Sequence, residues 1–153
     1  MNAKKKILFP TDFSIAADAG LPEAEALAKA RGATLFVLHV QEPMLAYDGA
    51  LYYGPLEPTT ETLDKMLHEI VPADKAIPVE HRLAMGDPAT EIVRTANEEQ
   101  VDMIVMGTHG RRGLSRFLMG SVAESVIRHA PCPVLTYKTP KQLAAPHPEL
   151  SAV

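Results

Sequence analysis

The residues best suited to chemistry lie in one segment, Gly107-Thr108-His109-Gly110-Arg111-Arg112-Gly113-Leu114-Ser115-Arg116-Phe117-Leu118-Met119-Gly120-Ser121. It follows an apolar run, Val101 to Met106, and ends where a helix can begin. Glycine has no Cβ, so its backbone N–H can approach a ligand that another residue would hold off. Arginine offers a planar fork of donors that suits phosphate oxygens. A helix start adds unpaired N–H groups and the positive end of the helix dipole. Together they predict an anion site with phosphate as the natural guest. Plainer readings stand beside this one. The glycines could serve only a tight turn, His109 could be a solvated loop residue, and Arg111 and Arg112 ordinary surface charge. Ser121-Val122-Ala123-Glu124 has the form of a capping box, which makes Ser121 the expected N-cap of the following helix.

Other chemistry finds less support. There is no G-x-x-x-x-G-K-S/T, so the loop is not a P-loop, and no G-x-S-x-G nucleophile elbow. No G-x-G-x-x-G follows the first strand, which weakens a dinucleotide-binding reading. His39, His68, His81, His129 and His147 are scattered without metal spacing. Phosphoryl or nucleotidyl transfer needs a positioned base or nucleophile. Asp12, His109 and Ser121 are the candidates, and none has an evident orienting partner. A dedicated catalytic role is therefore not supported, while slow hydrolysis stays open. Cys132, between Pro131 and Pro133, reads as a small buried hydrophobe rather than a reactive thiol.

These residues need elements to hold them. Ile7 to Phe9, Leu35 to Val40, Val101 to Met106 and Val134 to Tyr137 are short apolar runs, most with little polar alternation, as strands buried on both faces of a parallel sheet have. Val79 to Met85 alternates, which suits an edge strand with one wet face. Helical patterns fall between them. Ser14 to Arg31 should break near Gly20, because Pro22 removes a helix hydrogen bond. Thr59 to Ile70 carries a core stripe of Leu63, Met66, Leu67 and Ile70. Pro88 to Glu99 opens after Asp87 as N-cap, and a last helix spans Ser121 to His129. The pattern predicts a single α/β domain, a doubly wound parallel sheet with right-handed crossovers. Such sheets bind ligands past the carboxyl ends of the strands where the order reverses. The segments to search are therefore those after Phe9, after Val40 and after Met106; Asp12, in the first of them, could simply cap the first helix.

The spacing Gly107-x-x-Gly110-x9-Gly120-Ser121 resembles the ATP-binding signature of the universal stress protein family. Phe9-Pro10-Thr11-Asp12-Phe13-Ser14, Leu38-His39-Val40, Gly86-Asp87-Pro88 and Ala130-Pro131-Cys132-Pro133-Val134-Leu135 agree with it, and the resemblance covers about residues 4 to 138. It implies an adenine nucleotide alpha hydrolase-like fold with five parallel strands in the order 3-2-1-4-5. It also implies ATP as ligand, with Mg2+ or Mn2+ carried on the phosphates. By carry-over, Pro10, Thr11 and Asp12 face the ribose or adenine, and Val40 meets the adenine through its backbone. Gly107, His109 and Gly110 line ribose and phosphates. Gly120, Ser121, Val122 and Ala123 hold the phosphate chain. The family also implies a homodimer through the last strand, and a regulatory or stress-response role through an unidentified protein partner. Two other readings remain: a dimeric scaffold or chaperone-like protein that binds no nucleotide, and a slow ATPase.

Composition sets the outer bounds. With 153 residues and 46% hydrophobic content the chain can bury a core without staples. A net charge of −4 argues against a nucleic acid polymer as partner. No uncharged stretch is long enough to cross a bilayer, and Lys4-Lys5-Lys6 is followed by too short an apolar run for a signal peptide. A lone Cys suits a reducing compartment, so the cytoplasm is expected. The domain is expected to span residues 1–138, with a Pro-containing disordered tail over 139–153. The loop from Gln41 to Pro58, which holds Tyr47, Tyr52 and Tyr53, is either a mobile loop or a lid over the ligand.

Overall fold

In the computed structural model, residues 3–43, 58–108 and 119–138 are described. Five strands form one parallel sheet: β1 (Lys6–Pro10), β2 (Thr34–Gln41), β3 (Val79–Met85), β4 (Met103–Gly107) and β5 (Val134–Tyr137). Their spatial order is β3-β2-β1-β4-β5, with Leu8 level with Phe36 on one side and Ile104 on the other. The three runs that lack polar alternation are the inner strands. Only a strand covered on both faces has use for apolar side chains at every position.

Successive side chains point to opposite faces, and helices cover both. Leu8, Phe36, Leu38, Ile104 and Met106 pack against α4 (Pro88–Glu98) and α5 (Ser121–His129) through Ile92, Ala96, Ala123 and Val126. Ile7, Phe9, Leu35, Val37 and Val105 pack the other way. There they meet Ala24 and Ala28 of α2 (Leu21–Arg31) and Leu67 of α3 (Thr60–Glu69). Each fully buried Leu, Ile or Phe stabilises the fold by about 1.5–3 kcal/mol relative to exposure. Leu63 and Leu67 are buried as expected, while Met66 and Ile70 sit at the core's margin.

The break near Gly20 is present and divides the first helical pattern in two. A four-residue helix α1 (Ile15–Asp18) is followed by α2, which has Gly20 as N-cap and Pro22 in its first turn. Proline lacks the N–H that a continuous helix would need at that point. Asp87 caps α4, its carboxylate accepting from Thr90 N at 3.0 Å. One expected boundary moves. Val101 and Asp102 precede β4 instead of starting it, because α4 closes through Gln100 at φ 52° with Val101 N donating to the Ala96 carbonyl. Val101 stays buried as the apolar residue that follows such a helix end. Asp102 turns to accept from Lys6 N at 2.8 Å.

Candidate functional site

β1 and β4 are neighbours, and the crossovers from them leave toward opposite sides of the sheet, so their carboxyl ends flank the switch point. After Pro10 the chain turns sharply. Thr11 N donates to the Leu38 carbonyl at 2.8 Å, which prolongs the β1–β2 ladder by one step. The Thr11 carbonyl accepts from His39 Nδ1 at 2.8 Å, and the Thr11 hydroxyl oxygen accepts from Phe13 N at 3.0 Å. Phe13 sits at φ 63°, a conformation that is strained for a residue with a Cβ. Its ring lies against the buried His39 at 4.3 Å between centroids. Asp12 Oδ1 accepts from Ser14 N at 2.9 Å. Asp12 is therefore not the cap of α1; Ser14 is, through Ala17 N at 3.1 Å. Burial first, and then the Asp12 carboxylate, raise the pKa of Asp18.

β4 supplies the second wall. Gly107 ends the strand opposite Tyr137, and Thr108 N donates to the Tyr137 carbonyl at 3.2 Å. The Thr108 carbonyl then accepts from Gly120 N at 2.7 Å. That bond brings the two ends of the glycine-rich segment together and delivers α5 to the mouth of the site. The expectation for Ser121 needs correction: the N-cap is Gly120, and Ser121 is the first residue of the helix. Gly120 has φ −59° and ψ 150°. Ser14, Thr59 and Asp87 cap their helices with nearly the same backbone, and each accepts a helix N–H with its side chain. α5 shares that entry geometry, and Gly120 supplies no side-chain cap. The first N–H groups of a helix, here those of Ser121, Val122 and Ala123, have no partner within the helix itself.

The expected residues divide as follows. Pro10, Thr11 and Asp12 lie at the end of β1, Val40 near the end of β2, and Gly107 at the end of β4. Gly120, Ser121, Val122 and Ala123 form the start of α5. All belong to the carboxyl side of the sheet. His109, Gly110, Arg111 and Arg112 lie outside the described residues, as do Tyr47, Tyr52, Tyr53 and the 139–153 tail. Among the described residues no three His, Cys, Asp or Glu side chains are grouped to hold a metal ion. No described helix is long and apolar enough to cross a membrane. Cys132 is partly buried at the edge of the core, and burial raises its thiol pKa. Sequence reasoning missed how His39, Phe13 and Tyr137 shape this end of the sheet. A buried histidine within an apolar strand and a tyrosine ending another were the signals available.

A family model described as the universal stress protein family matches residues 4–138. A protein named universal stress protein MJ0531 from Methanocaldococcus jannaschii is 36% identical over 147 residues, 92% of this chain and 86% of that one. The solved structure of the MJ0577 protein from the same organism superimposes with a TM-score of 0.67 at 28% identity. That match covers 90% of this chain and 97% of the other. A universal stress protein from Archaeoglobus fulgidus, solved in complex with dAMP, gives a TM-score of 0.58 at 27% identity, covering 89% and 98%.

Proposed function

This chain belongs to the universal stress protein family, and we propose that it binds an adenine nucleotide, ATP foremost, past the ends of β1 and β4. One observation carries the reading: α5 enters with cap geometry, lacks a side-chain cap, and is tied by Gly120 to the end of β4. An anion near such a terminus gains about 0.3–1 kcal/mol from the helix dipole and takes up N–H groups that have no helical partner. The dAMP complex of the Archaeoglobus fulgidus relative supports an adenine nucleotide as the guest.

Gly120, Ser121, Val122 and Ala123 would hold the phosphates, and Gly107, His109 and Gly110 the ribose and phosphates. Pro10, Thr11 and Asp12 would face ribose or adenine, with Val40 meeting the adenine through its backbone. The described side chains offer no metal cluster of their own, so Mg2+ or Mn2+ would ride on the phosphate oxygens. The reading is of a regulatory, nucleotide-dependent role, with a cytoplasmic location expected and slow ATP hydrolysis left open. Self-association would use the free edge of β5.

Mass spectrometry of ligand released by heat from the purified chain, with calorimetric titration of Mg·ATP, tests the reading. Expected is a dissociation constant in the micromolar range, corresponding to about 8 kcal/mol. No adenine nucleotide released, and none bound at micromolar concentration, would leave the scaffold reading in its place.

A further inference from the structure

Tyr137 differs from the rest of its strand. Of the four tyrosines it alone lies outside the 41–58 loop, and it ends β5 level with Gly107. Its backbone carbonyl accepts from Thr108 N at 3.2 Å. Its hydroxyl donates to the Ala17 carbonyl in α1 at 2.9 Å, across 120 positions of sequence. Its ring crowds Gly20, where a Cβ would lie 1.8 Å from Tyr137 Cζ. Gly20 has φ −88° and ψ −10°, which any residue adopts. The closeness of the ring, not the turn, is what excludes a side chain there. Burial, followed by the nearby carboxylates of Asp12 and Asp18, pushes the phenol pKa far up, so the hydroxyl remains a donor at any working pH.

We propose that Tyr137 is a positioning residue for the nucleotide site, tying Thr108 at the exit of β4 to the 11–20 segment that carries Asp12. This rests on the nucleotide reading above. The segment needs such a tie. α1 has only four residues and cannot hold itself, since short helices are marginal without tertiary contacts. The turn before it contains the strained Phe13. Tyr137 reaches both walls of the site from one side chain and one carbonyl. With the walls fixed in advance, less ordering opposes binding.

Tyr137→Phe keeps the ring against Gly20 and removes only the donor. The full chain is compared with this variant by calorimetric titration of Mg·ATP well below the unfolding temperature, and by amide exchange of the nucleotide-free protein. Binding should weaken about three- to tenfold, the loss of one hydrogen bond, and amides of residues 15–20 should exchange faster. Ile92→Val, which trims the core at α4, serves as control: it should lower the melting temperature and leave affinity unchanged. Equal affinity in Tyr137→Phe and the natural chain overturns the positioning role. So does an equal loss in Ile92→Val. Failure of the function itself shows in the unaltered chain, which would then take up no nucleotide.

Discussion

Glu99 holds two cations at once. Its carboxylate meets Lys6 Nζ at 2.5 Å and also pairs with Arg82. Both cations stand over the ring of Phe36, 5.7 and 5.3 Å from its centroid. One carboxylate just past α4 thus joins the start of β1 to edge strand β3. The hydrogen bond from Lys6 is the main reason its pKa is lowered; burial opposes it and the Arg82 charge assists. A group whose folded pKa lies below its unfolded value stabilises above the unfolded value and loses that contribution as pH falls through the folded one. Glu99→Gln should therefore lower stability at neutral pH by about 1 kcal/mol, or about 3 °C in Tm. The deficit should shrink as pH falls below the ordinary Glu value of about 4.3 and through the lower folded one, as Glu99 itself becomes neutral. Thermal unfolding of both proteins across that range checks it. A deficit that is constant with pH would mean that shape, not charge, is what Glu99 contributes.

At the scale of elements, much was legible because periodicity reports burial directly. Uninterrupted apolar runs marked the inner strands, alternation in Val79 to Met85 marked an edge, and Pro22 marked the break between α1 and α2. The start of α5 was misread. A capping box contributes only about 1 kcal/mol, and the bond from Gly120 N to the Thr108 carbonyl instead fixes where the chain enters that helix. The brace at Tyr137 was illegible for another reason: its partners Ala17 and Gly20 are remote in sequence, and no local pattern encodes such a pairing. The entry to α5 also yields a prediction. Gly120 already has the backbone that Asp87 uses to cap α4. Gly120→Asp should supply the missing side-chain cap and raise the stability of the nucleotide-free protein by a few tenths of a kcal/mol, roughly what an acidic cap gains over glycine. The same carboxylate would occupy the N–H groups offered to phosphate and repel it, weakening Mg·ATP by at least about tenfold. Melting temperature with and without nucleotide reads both effects. A variant that is stabilised and still binds ATP normally would remove α5 from the site.

For the whole molecule, the two edges of the sheet differ. The side chains of β3 reach α4, with Arg82 held by Glu98 and Glu99. β5 has only four residues, and Leu135 in its middle is 40% exposed. An apolar edge invites pairing with a second copy, which by symmetry covers the same residue twice. So short a strand cannot alone bury the roughly 1,200 Å² of a stable interface, so the proposed dimer should respond to concentration. It should also respond to nucleotide. Pairing would order the outer side of β5, while Tyr137 at its end contacts both walls of the proposed site on the inner side. Ordering one side reduces what remains to be ordered on the other, and such coupling is reciprocal. Saturating Mg·ATP is expected to tighten the dimer about fivefold, the low end of measured couplings, because the path runs through one residue. Nucleotide should in turn bind each site of the dimer about twofold tighter than the monomer, the square root of that factor, because two sites load per dimer. In Tyr137→Phe both factors should fall toward one. Sedimentation velocity over a dilution series, with and without Mg·ATP, measures the first and calorimetry above and below the dimer constant the second. A dimer constant indifferent to nucleotide in the natural chain would show that edge and site act independently.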